Sequence, residues 1–413
     1  MATKKVSVLG AGITGIAVSN ALKSRELQVT LIDRNPYPGG RAVWYGCKAV
    51  ENCVQCGVCL VREQMERLQD SFFSGSGEVV QAPRLLLSGE VAGLVRNPDG
   101  HLDIRIDRSA NMIDPEKCIE CGRCADACAT NSIRKVEGWR FYVEESCSSC
   151  GECVEICPTG AISHEPPKPI TELISADAVV VATGSEAFDP VVNRKWGMGN
   201  KRVITGTELE HLFYEQAYLP PETNNIAFVQ CVGSRSSTEG VEGCSRVCCP
   251  YALRMASRLG ADYPDTQIDF FHIDIQRFGT DFEVFWGLAK ERVNLIRSNP
   301  IAVETDAEGR PVVRYEDPNS HSCIENSYDL VVLSHGMVPG EDTEQVADLF
   351  NLGRGSEGYF GDLVTDSSFD RVDGLLPGIF TAGCCKGPLR INECIEDAEA
   401  ISGRVRSYLG ELN

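Results

Sequence analysis

The chain has 413 residues, 43% of them hydrophobic, a formal charge of −20 and a pI of about 4.8. A single core stops growing near ~250–300 residues, so two or three compact units are expected. The acidic balance argues against nucleic acid, whose phosphates need a basic surface, and against docking on an anionic lipid leaflet.

Residues 3–9 read as a buried strand, followed by Gly10, Ala11, Gly12, Ile13, Thr14 and Gly15 and then a helix to about Ser24. Residues 28–33 read as a second strand ending in Asp33. The two lysines near the start precede only a short apolar stretch, so a strand entering a turn is expected there, not a signal peptide. No run approaches the ~20 apolar residues of a membrane span, and the reading is a cytoplasmic protein without a direct membrane span. Residues 36–60 are rich in Pro, Gly and Cys; 61–72 look helical and 86–108 look like short strands. Residues 113–165 turn cysteine-rich and read as an inserted small domain. Buried strands are expected again at 178–184, 224–232, 267–274, 329–336 and 378–383, with a last helix over about 390–409.

A Gly-x-Gly-x-x-Gly pattern alone is weak, but here it follows a strand, opens a helix and precedes Asp33 by about twenty residues. Gly10 allows the tight turn, Gly12 lets the backbone approach a pyrophosphate, and Gly15 lets the helix pack on the sheet. The helix N-terminus favours the negative charge, and Asp33 would accept from the adenosine ribose. Gly39, Gly40 and Arg41 after Asp33 (with Arg34 beside it), Ala182, Thr183 and Gly184 after a later strand, and Gly378 to Gly383 before the last helix decide for FAD over NAD. They resemble the flavoprotein disulfide reductase pattern of thioredoxin reductase. In that family an Asp holding the ribityl chain follows the final glycine, whereas Cys384 stands here. The helix after it is expected to point its N-terminus at the flavin ring.

Twenty cysteines clustered at short spacings in a cytoplasmic chain point to metal, not to disulfides. Cys118, Cys121, Cys124 and Cys128 form one C-x2-C-x2-C-x3-C run; Cys147, Cys150, Cys153 and Cys157, followed by Pro158, form another. Two such runs define a two-cluster bacterial ferredoxin in which the fourth cysteine of each run ligates the other cluster. Cys118, Cys121, Cys124 and Cys157 are therefore assigned to one [4Fe–4S] cluster, and Cys147, Cys150, Cys153 and Cys128 to the second. Structural zinc would use separated pairs.

Two further groups are Cys47, Cys53, Cys56 and Cys59, and Cys231, Cys244, Cys248 and Cys249. Each could ligate a cluster; the alternative is buried or catalytic thiols, with Cys53/Cys56 or Cys56/Cys59 as a dithiol beside the flavin. The second group lies where a reductase would carry its NAD(P)H turn, and the glycine spacing for that turn is missing. Cys384 and Cys385 are candidates for contact with the flavin, Cys323 is incidental, and no nucleophile–base arrangement suggests hydrolysis.

Together these motifs resemble the HdrA chain of heterodisulfide reductase, above all in Gly40 followed by cysteines, the ferredoxin insert, the Cys231–Cys249 segment and Cys384–Cys385. The resemblance implies that Cys231, Cys244, Cys248 and Cys249 ligate a [4Fe–4S] cluster. Larger members carry an extra N-terminal domain and a C-terminal ferredoxin module, which this chain is expected to lack. That short form resembles QmoA of the quinone-interacting membrane-bound oxidoreductase. It implies three partners: an HdrA-like second flavin subunit, a haem-bearing membrane subunit holding the complex at the inner face of the membrane, and adenylylsulfate reductase. Menaquinone would be a source or sink of electrons. The expected fold is α/β: thioredoxin-reductase-like FAD-binding Rossmann-type domains with an inserted α+β bacterial 2[4Fe–4S] ferredoxin module. The expected bounds are 1–112, 166–222 and 341–413 for the FAD-binding domain, 113–165 for the insert and 223–340 for a second Rossmann-like domain with a degenerate NAD site. The function read from this is an electron-transfer subunit, with flavin-based bifurcation or confurcation as an option. The competing readings are an NAD(P)H-dependent disulfide reductase, the HdrA subunit of a soluble heterodisulfide reductase, and a non-enzymatic scaffold.

Overall fold

Val6, Val8 and Leu9, with Ser7 between them, are all buried, the signature of a strand covered on both faces. In the computed structural model this strand, β1 (Lys4–Leu9), lies at the centre of a five-stranded parallel sheet. The structure describes residues 3–50, 52–73, 79–109, 111–114, 117–144, 146–164, 168–217, 219–220, 223–277, 282–361 and 377–410. On one side of β1 stand β2 (Leu27–Ile32) and Arg84–Leu86; on the other stand Ala178–Val181 and Ile379–Thr381. Val6 is in register with both Val29 and Ala178, so the chain leaves β1 in one direction and returns on its other side. Such a reversal opens a crevice at the carboxyl end of the central strand, where dinucleotides bind.

One face of this sheet is covered by helices α1 (Ile13–Leu22), Val58–Gln69 and Ile391–Leu409, which share a core containing Ile16, Leu22, Met65, Leu68, Ile401 and Val405. The other face is covered by the antiparallel strands Gly89–Arg96, Leu102–Arg108 and Ile170–Ala176, and by helix Thr343–Phe350. Leu102, Ile104 and Ile106 point alternately into that core.

A second five-stranded parallel sheet runs in the order Val203–Thr205, Leu330–His335, Asn225–Val232, Gln267–Phe271, Asn294–Ile296. Helices Cys248–Asp262 and Phe282–Arg292 pack on one face, and three antiparallel strands between Ala302 and Ser327 cover the other. The two units are stitched by the antiparallel pair Ser185–Ala187 and Met337–Pro339. The insert has its own small core of Ile113, Cys124, Ile133, Phe141 and Ile162, closed by an antiparallel bridge between Ile113 and Ile162. It consists of the hairpin Ile133–Lys135/Phe141–Val143 and the short helices Arg123–Asp126 and Glu152–Ile156.

The expected strands are all present, shorter by a residue or more at most ends. At 267–274 the strand ends at Phe271 and Asp274 lies in the following loop; 178–184 likewise ends at Val181. The helix expected over 61–72 begins at Val58, because Gly57 in the left-handed region starts it at once after the cysteine loop.

A buried ion pair ties this loop to the second unit. Lys48 Nζ lies 2.5 Å from Glu210 Oε2 on helix Gly206–Tyr214, with side chains 2% and 5% exposed. Burial pushes the Glu210 carboxyl up, and Lys48 opposes it. Lys48→Met leaves the buried carboxylate unpaired and is expected to destabilise the chain by about 3–5 kcal/mol, whereas Lys48→Met combined with Glu210→Leu should recover most of that loss. Anaerobic thermal unfolding of the single and double variants at one scan rate checks this; equal midpoints for the two would refute it.

Candidate functional site

At the switch point a cleft of about 750 Å³ opens between the two sheets. The backbone around it is built for close approach. Gly10 has φ +97°, and a Cβ there would lie 2.3 Å from the Ala182 carbonyl oxygen. At Gly15 a Cβ would lie 1.8 Å from the Gly10 carbonyl oxygen, so helix and strand can touch only through glycine. Gly12 is different: a Cβ there meets nothing within 4 Å. Gly12 is also the N-cap of α1, which has no side-chain cap among the described residues. Its first amides are thus left for an anion. The open space at Gly12 and the uncapped helix fit a pyrophosphate.

Asp33 lies at this cleft, nearly buried. Its Oδ2 accepts from the Ala11 N–H at 2.5 Å, and its Oδ1 accepts from the Asn35 N–H at 2.7 Å and the Asn35 side-chain amide at 2.9 Å. A carboxylate has about four acceptor sites, so room for about one ribose hydroxyl is left. Burial pushes its pKa up, against those donors.

Gly10, Gly12, Ile13, Thr14, Asp33, Arg34, Gly40, Arg41, Ala182, Thr183, Gly184 and Cys384 all line this one cleft. Gly15 and Gly383 stand behind it; a Cβ on Gly383 would lie 2.1 Å from the Thr14 hydroxyl. The Gly383 N–H donates to Asp397 Oδ2 at 2.7 Å, so a carboxylate from the last helix adjoins the place where the reductase family has its ribityl Asp. Leu389 to Asn392 bring the start of that helix to the cleft, as expected. Cys384 and Cys385 are separated. Cys385 turns into the core beneath the sheet, its thiol 3.1 Å from the Ala382 carbonyl oxygen and pushed up to about 12 by burial.

Sequence reasoning missed the aromatic wall of the cleft. Tyr37 packs at a tilt against Tyr142 of the insert with ring centroids 4.7 Å apart, Trp44 lies under the Arg134 guanidinium at 5.0 Å, and Tyr45, Tyr251 and His335 also line the cleft. His335 is pushed down to about 4 by burial, so the neutral imidazole faces the cleft and meets Thr207 at 2.9 Å. No spacing rule marks these residues, because they come from several elements.

The structure brings the ferredoxin cysteines together in the crossed sets. Cys118, Cys121, Cys124 and Cys157 line one small hollow. Cys153 feels Cys147, Cys150 and Cys128 as its electrostatic neighbours. Backbone amides point at the sulfurs: Ser132 N–H to Cys128 at 3.3 Å, Ala161 N–H to Cys157 at 3.3 Å and Ser149 N–H to Cys147 at 3.4 Å. Such donors favour the thiolate that a cluster requires. Among the described residues no three His, Cys, Asp or Glu side chains converge as around a single ion. A cubane takes one thiolate on each of its irons, so its sulfurs stand farther apart than zinc ligands do.

The Cys53–Cys59 loop repeats the ferredoxin loops in its backbone. Gln55 and Gly57 have φ of 49° and 82°; Glu120 and Gly122 have 55° and 80°; Ser149 and Gly151 have 55° and 83°. In all three the glycine caps a helix that begins at the next residue. The Gln55 N–H also points at Cys53 at 3.4 Å, matching Ser149 and Cys147. A non-glycine residue in the left-handed region is costly, so its recurrence at one place marks a common loop. The sequence did carry this signal: all three segments read Cys-x-x-Cys-Gly-x-Cys.

Cys231, Cys248 and Cys249 are buried, and Cys244 is half-buried. Cys231, Cys244 and Cys249 all appear among the neighbours that shift Cys248. Burial pushes Cys231 up to about 12, with the Arg235 guanidinium acting against it. Gly233, after the strand, packs on Phe188, which a Cβ would meet at 2.0 Å, so the turn is filled by its own chain. Helix Cys248–Asp262 also carries Arg254, which donates to the Val54 carbonyl at 2.8 Å, and Arg258, which donates to those of Cys47 and Ala49 at 3.3 and 3.2 Å. The two outer cysteine groups are thereby clamped to one helix. Cys323 is exposed on a strand edge and joins neither group.

Residues 111–164 match the family described as 4Fe-4S dicluster domain, and residues 8–46 match the NAD(P)-binding Rossmann-like domain. The chain is 30% identical to the HdrA-type chain of the Ferredoxin:CoB-CoM heterodisulfide reductase of Methanosarcina mazei, over 99% of this chain and 54% of that one. It is 29% identical to an iron-sulfur chain of the same type from the CoB--CoM heterodisulfide reductase of Methanopyrus kandleri, over 98% of this chain and 64% of that one. The chain therefore spans between about half and two thirds of the length of these relatives. Thioredoxin reductases of Lactococcus lactis and T. acidophilum share the fold, each with a TM-score of 0.54 at 16% and 13% identity, covering 99% of this chain and 100% of theirs. The chain is HdrA-like along nearly its whole length, and it combines a thioredoxin-reductase-like α/β fold with a 4Fe–4S dicluster domain. No helix among the described residues is long and apolar enough to cross a membrane.

Proposed function

We propose that the chain is a flavin and iron–sulfur electron-transfer subunit of a multi-subunit, HdrA-like oxidoreductase. The observation that carries this is the composition of the cleft wall: the dinucleotide glycines, Arg134, Tyr142 and Glu144 of the ferredoxin insert, and Cys56 of the third cysteine loop line the same cavity. FAD would supply exchange between paired and single electrons there. Gly12 and α1 would hold its pyrophosphate, Asp33 its ribose, and the Tyr37–Tyr142 wall would exclude water. The three cysteine neighbourhoods would hold [4Fe–4S] clusters through Cys118, Cys121, Cys124 and Cys157; Cys128, Cys147, Cys150 and Cys153; and Cys231, Cys244, Cys248 and Cys249. Cys47, Cys53, Cys56 and Cys59 would hold a fourth, supported by the shared backbone of the Cys53–Cys59 loop.

The partners follow the relatives, whose names are those of reductase subunits. The finer reading, exchange with menaquinone through a haem-bearing membrane protein and with adenylylsulfate reductase, rests on the resemblance to QmoA; a heterodisulfide reductase assembly fits the relatives equally well. Recovery of the native complex under anaerobic conditions and identification of its other chains separates the two. The disulfide reductase alternative requires NAD(P)H to reach the flavin, and the filled turn at Gly233 disfavours it. Anaerobic protein should keep its oxidised flavin absorbance with NADH and lose it with dithionite; stoichiometric bleaching by NADH would sink the electron-transfer reading. Iron analysis is expected to give about sixteen irons per chain, falling by about four in Cys56→Ser. Unchanged iron in that variant would remove the fourth cluster.

A further inference from the structure

Two cysteines outside all four groups meet at the floor of the cleft. Cys384 sits in the short turn Gly383–Lys386, and Cys394 sits in the first turns of the helix Ile391–Leu409. Their sulfurs are 3.5 Å apart, in contact but unbonded. Both side chains line the cavity that holds the dinucleotide glycines. Cys394 is 2% exposed, and Cys384 is only partly reached by solvent. We propose that Cys384 and Cys394 are a redox-active pair that interconverts between dithiol and disulfide and exchanges two electrons with the bound flavin. This rests on the flavin reading above.

The geometry needs little movement. A disulfide has its sulfurs ~2.05 Å apart, so rotations closing about 1.5 Å suffice, and neither sulfur has another cysteine partner at hand. The two positions are joined through a turn and a helix start, where side-chain rotation does not disturb a strand. The chemical roles are also distinct. The Cys394 thiol beside it holds Cys384 below the ordinary thiol range against burial, with help from the Leu389 backbone, Arg41 and Ser185. Cys394 is pushed well up by Cys384 and by burial, while Thr14 acts the other way. Cys384 is thus the more acidic of the two thiols and Cys394 the less acidic, an asymmetry that thiol–disulfide chemistry uses. In the oxidising direction the Cys384–Cys394 sulfur–sulfur bond forms, two protons leave, and the electron pair goes to oxidised flavin. In the reducing direction the pair returns from reduced flavin, the bond breaks and both sulfurs take up protons. The couple would hold a pair of electrons beside a centre that hands them out singly to clusters. Cys385, next in sequence but buried in the core, is the internal control.

The test uses anaerobically purified holoprotein. Samples equilibrated with oxidised glutathione or with dithiothreitol are quenched in acid, alkylated and digested with trypsin, which cuts after Lys386 and Arg390 and so separates the two cysteines. The expected result is a Cys384–Cys394 cross-linked peptide pair in the oxidised sample and alkylation of both in the reduced one, with Cys385 alkylated in both. A dithionite titration should then take about two more electrons per chain for the wild type than for Cys394→Ser or Cys384→Ser. Alkylated Cys384 and Cys394 in the oxidised sample would overturn the pair, even if both variants failed to fold. A cross-link with equal electron uptake in wild type and variants would overturn the exchange with flavin. Flavin analysis of the same preparation keeps the readings apart: a chain without flavin that still cross-links defeats the function proposed above and the exchange, while the cysteine couple stands.

Discussion

Gly12→Asp is expected to give a folded chain that keeps its ferredoxin iron and loses FAD, with affinity reduced more than about 100-fold. The fold should survive because a Cβ at Gly12 meets nothing within 4 Å. The ligand should not, because the same empty direction is the one a pyrophosphate fills. A carboxylate there meets the phosphates with like charge, which costs several kcal/mol, and each 1.4 kcal/mol is tenfold in affinity. Gly10→Ala is the contrasting variant. Its Cβ would lie 2.3 Å from the Ala182 carbonyl oxygen at a φ of +97°, so strain between two strands should lower stability first. Flavin released by acid and iron per chain, measured on gel-filtered protein, distinguish the two. Full flavin content in Gly12→Asp would contradict the placement of the pyrophosphate.

The same cleft explains why an insert of this kind sits where it does. The hairpin that carries Arg134, Tyr142 and Glu144 is the link between the two ferredoxin runs. It is held to the first unit by the Tyr37–Tyr142 contact and to the second by an ion pair of Arg134 with Glu215 at 2.9 Å. The hairpin thus serves both as a wall of the cleft and as the connector between the cluster loops. On the opposite side, Arg254 and Arg258 hold the Cys47–Gln55 backbone to the helix that begins at Cys248. Cysteine groups therefore approach the cleft from two directions, which suits a flavin that parts or gathers single electrons.

The parts of this arrangement that were legible in the sequence are those fixed by local spacing. Gly10, Gly12 and Gly15 between a strand and a helix permit the tight dinucleotide-type turn, and the structure adopts it. The nearness of Cys157 to the other run was legible because each run leaves its fourth cysteine beyond its own loop, and Cys157 lines the hollow with Cys118, Cys121 and Cys124. The ionic tie of Lys48 to Glu210 was not legible, since 162 positions of chain separate the partners and only the sheet order brings them together. The Tyr37–Tyr142 wall was hidden for the same reason. Cys384 and Cys385 show the limit at single-residue scale: adjacent in sequence, they diverge because a tight turn at Gly383, with φ +75°, sends one sulfur to the cleft and the other to the core.

Crossed ligation, as proposed above, would have a sharp consequence. Cys128→Ser should remove about four irons and the spectroscopic signal of the cluster served by Cys147, Cys150 and Cys153, leaving the cluster of its own run intact. Cys157→Ser should do the reverse. Four variants then fall into two pairs: Cys128→Ser with Cys150→Ser, and Cys157→Ser with Cys121→Ser, each pair sharing one electron paramagnetic resonance spectrum in the reduced protein. If Cys128→Ser matched Cys121→Ser, each run would serve its own cluster and the crossed assignment would fail. The two pairs should also differ in function. Ser132, whose N–H points at Cys128, is two residues from Arg134, and the Cys147 N–H donates to the Glu144 carbonyl at 3.1 Å. Arg134 and Glu144 both line the cleft, so a cluster on Cys128, Cys147, Cys150 and Cys153 is expected to exchange electrons with the flavin through the hairpin. Its loss should abolish flavin reduction by an electron donor that enters through the Cys118/Cys121/Cys124/Cys157 cluster, while Cys157→Ser should leave electron exchange between the remaining cluster and the flavin fast. Rapid-mixing absorbance of the flavin in the two variants decides it, and equal rates would place both clusters at the same distance from the cleft.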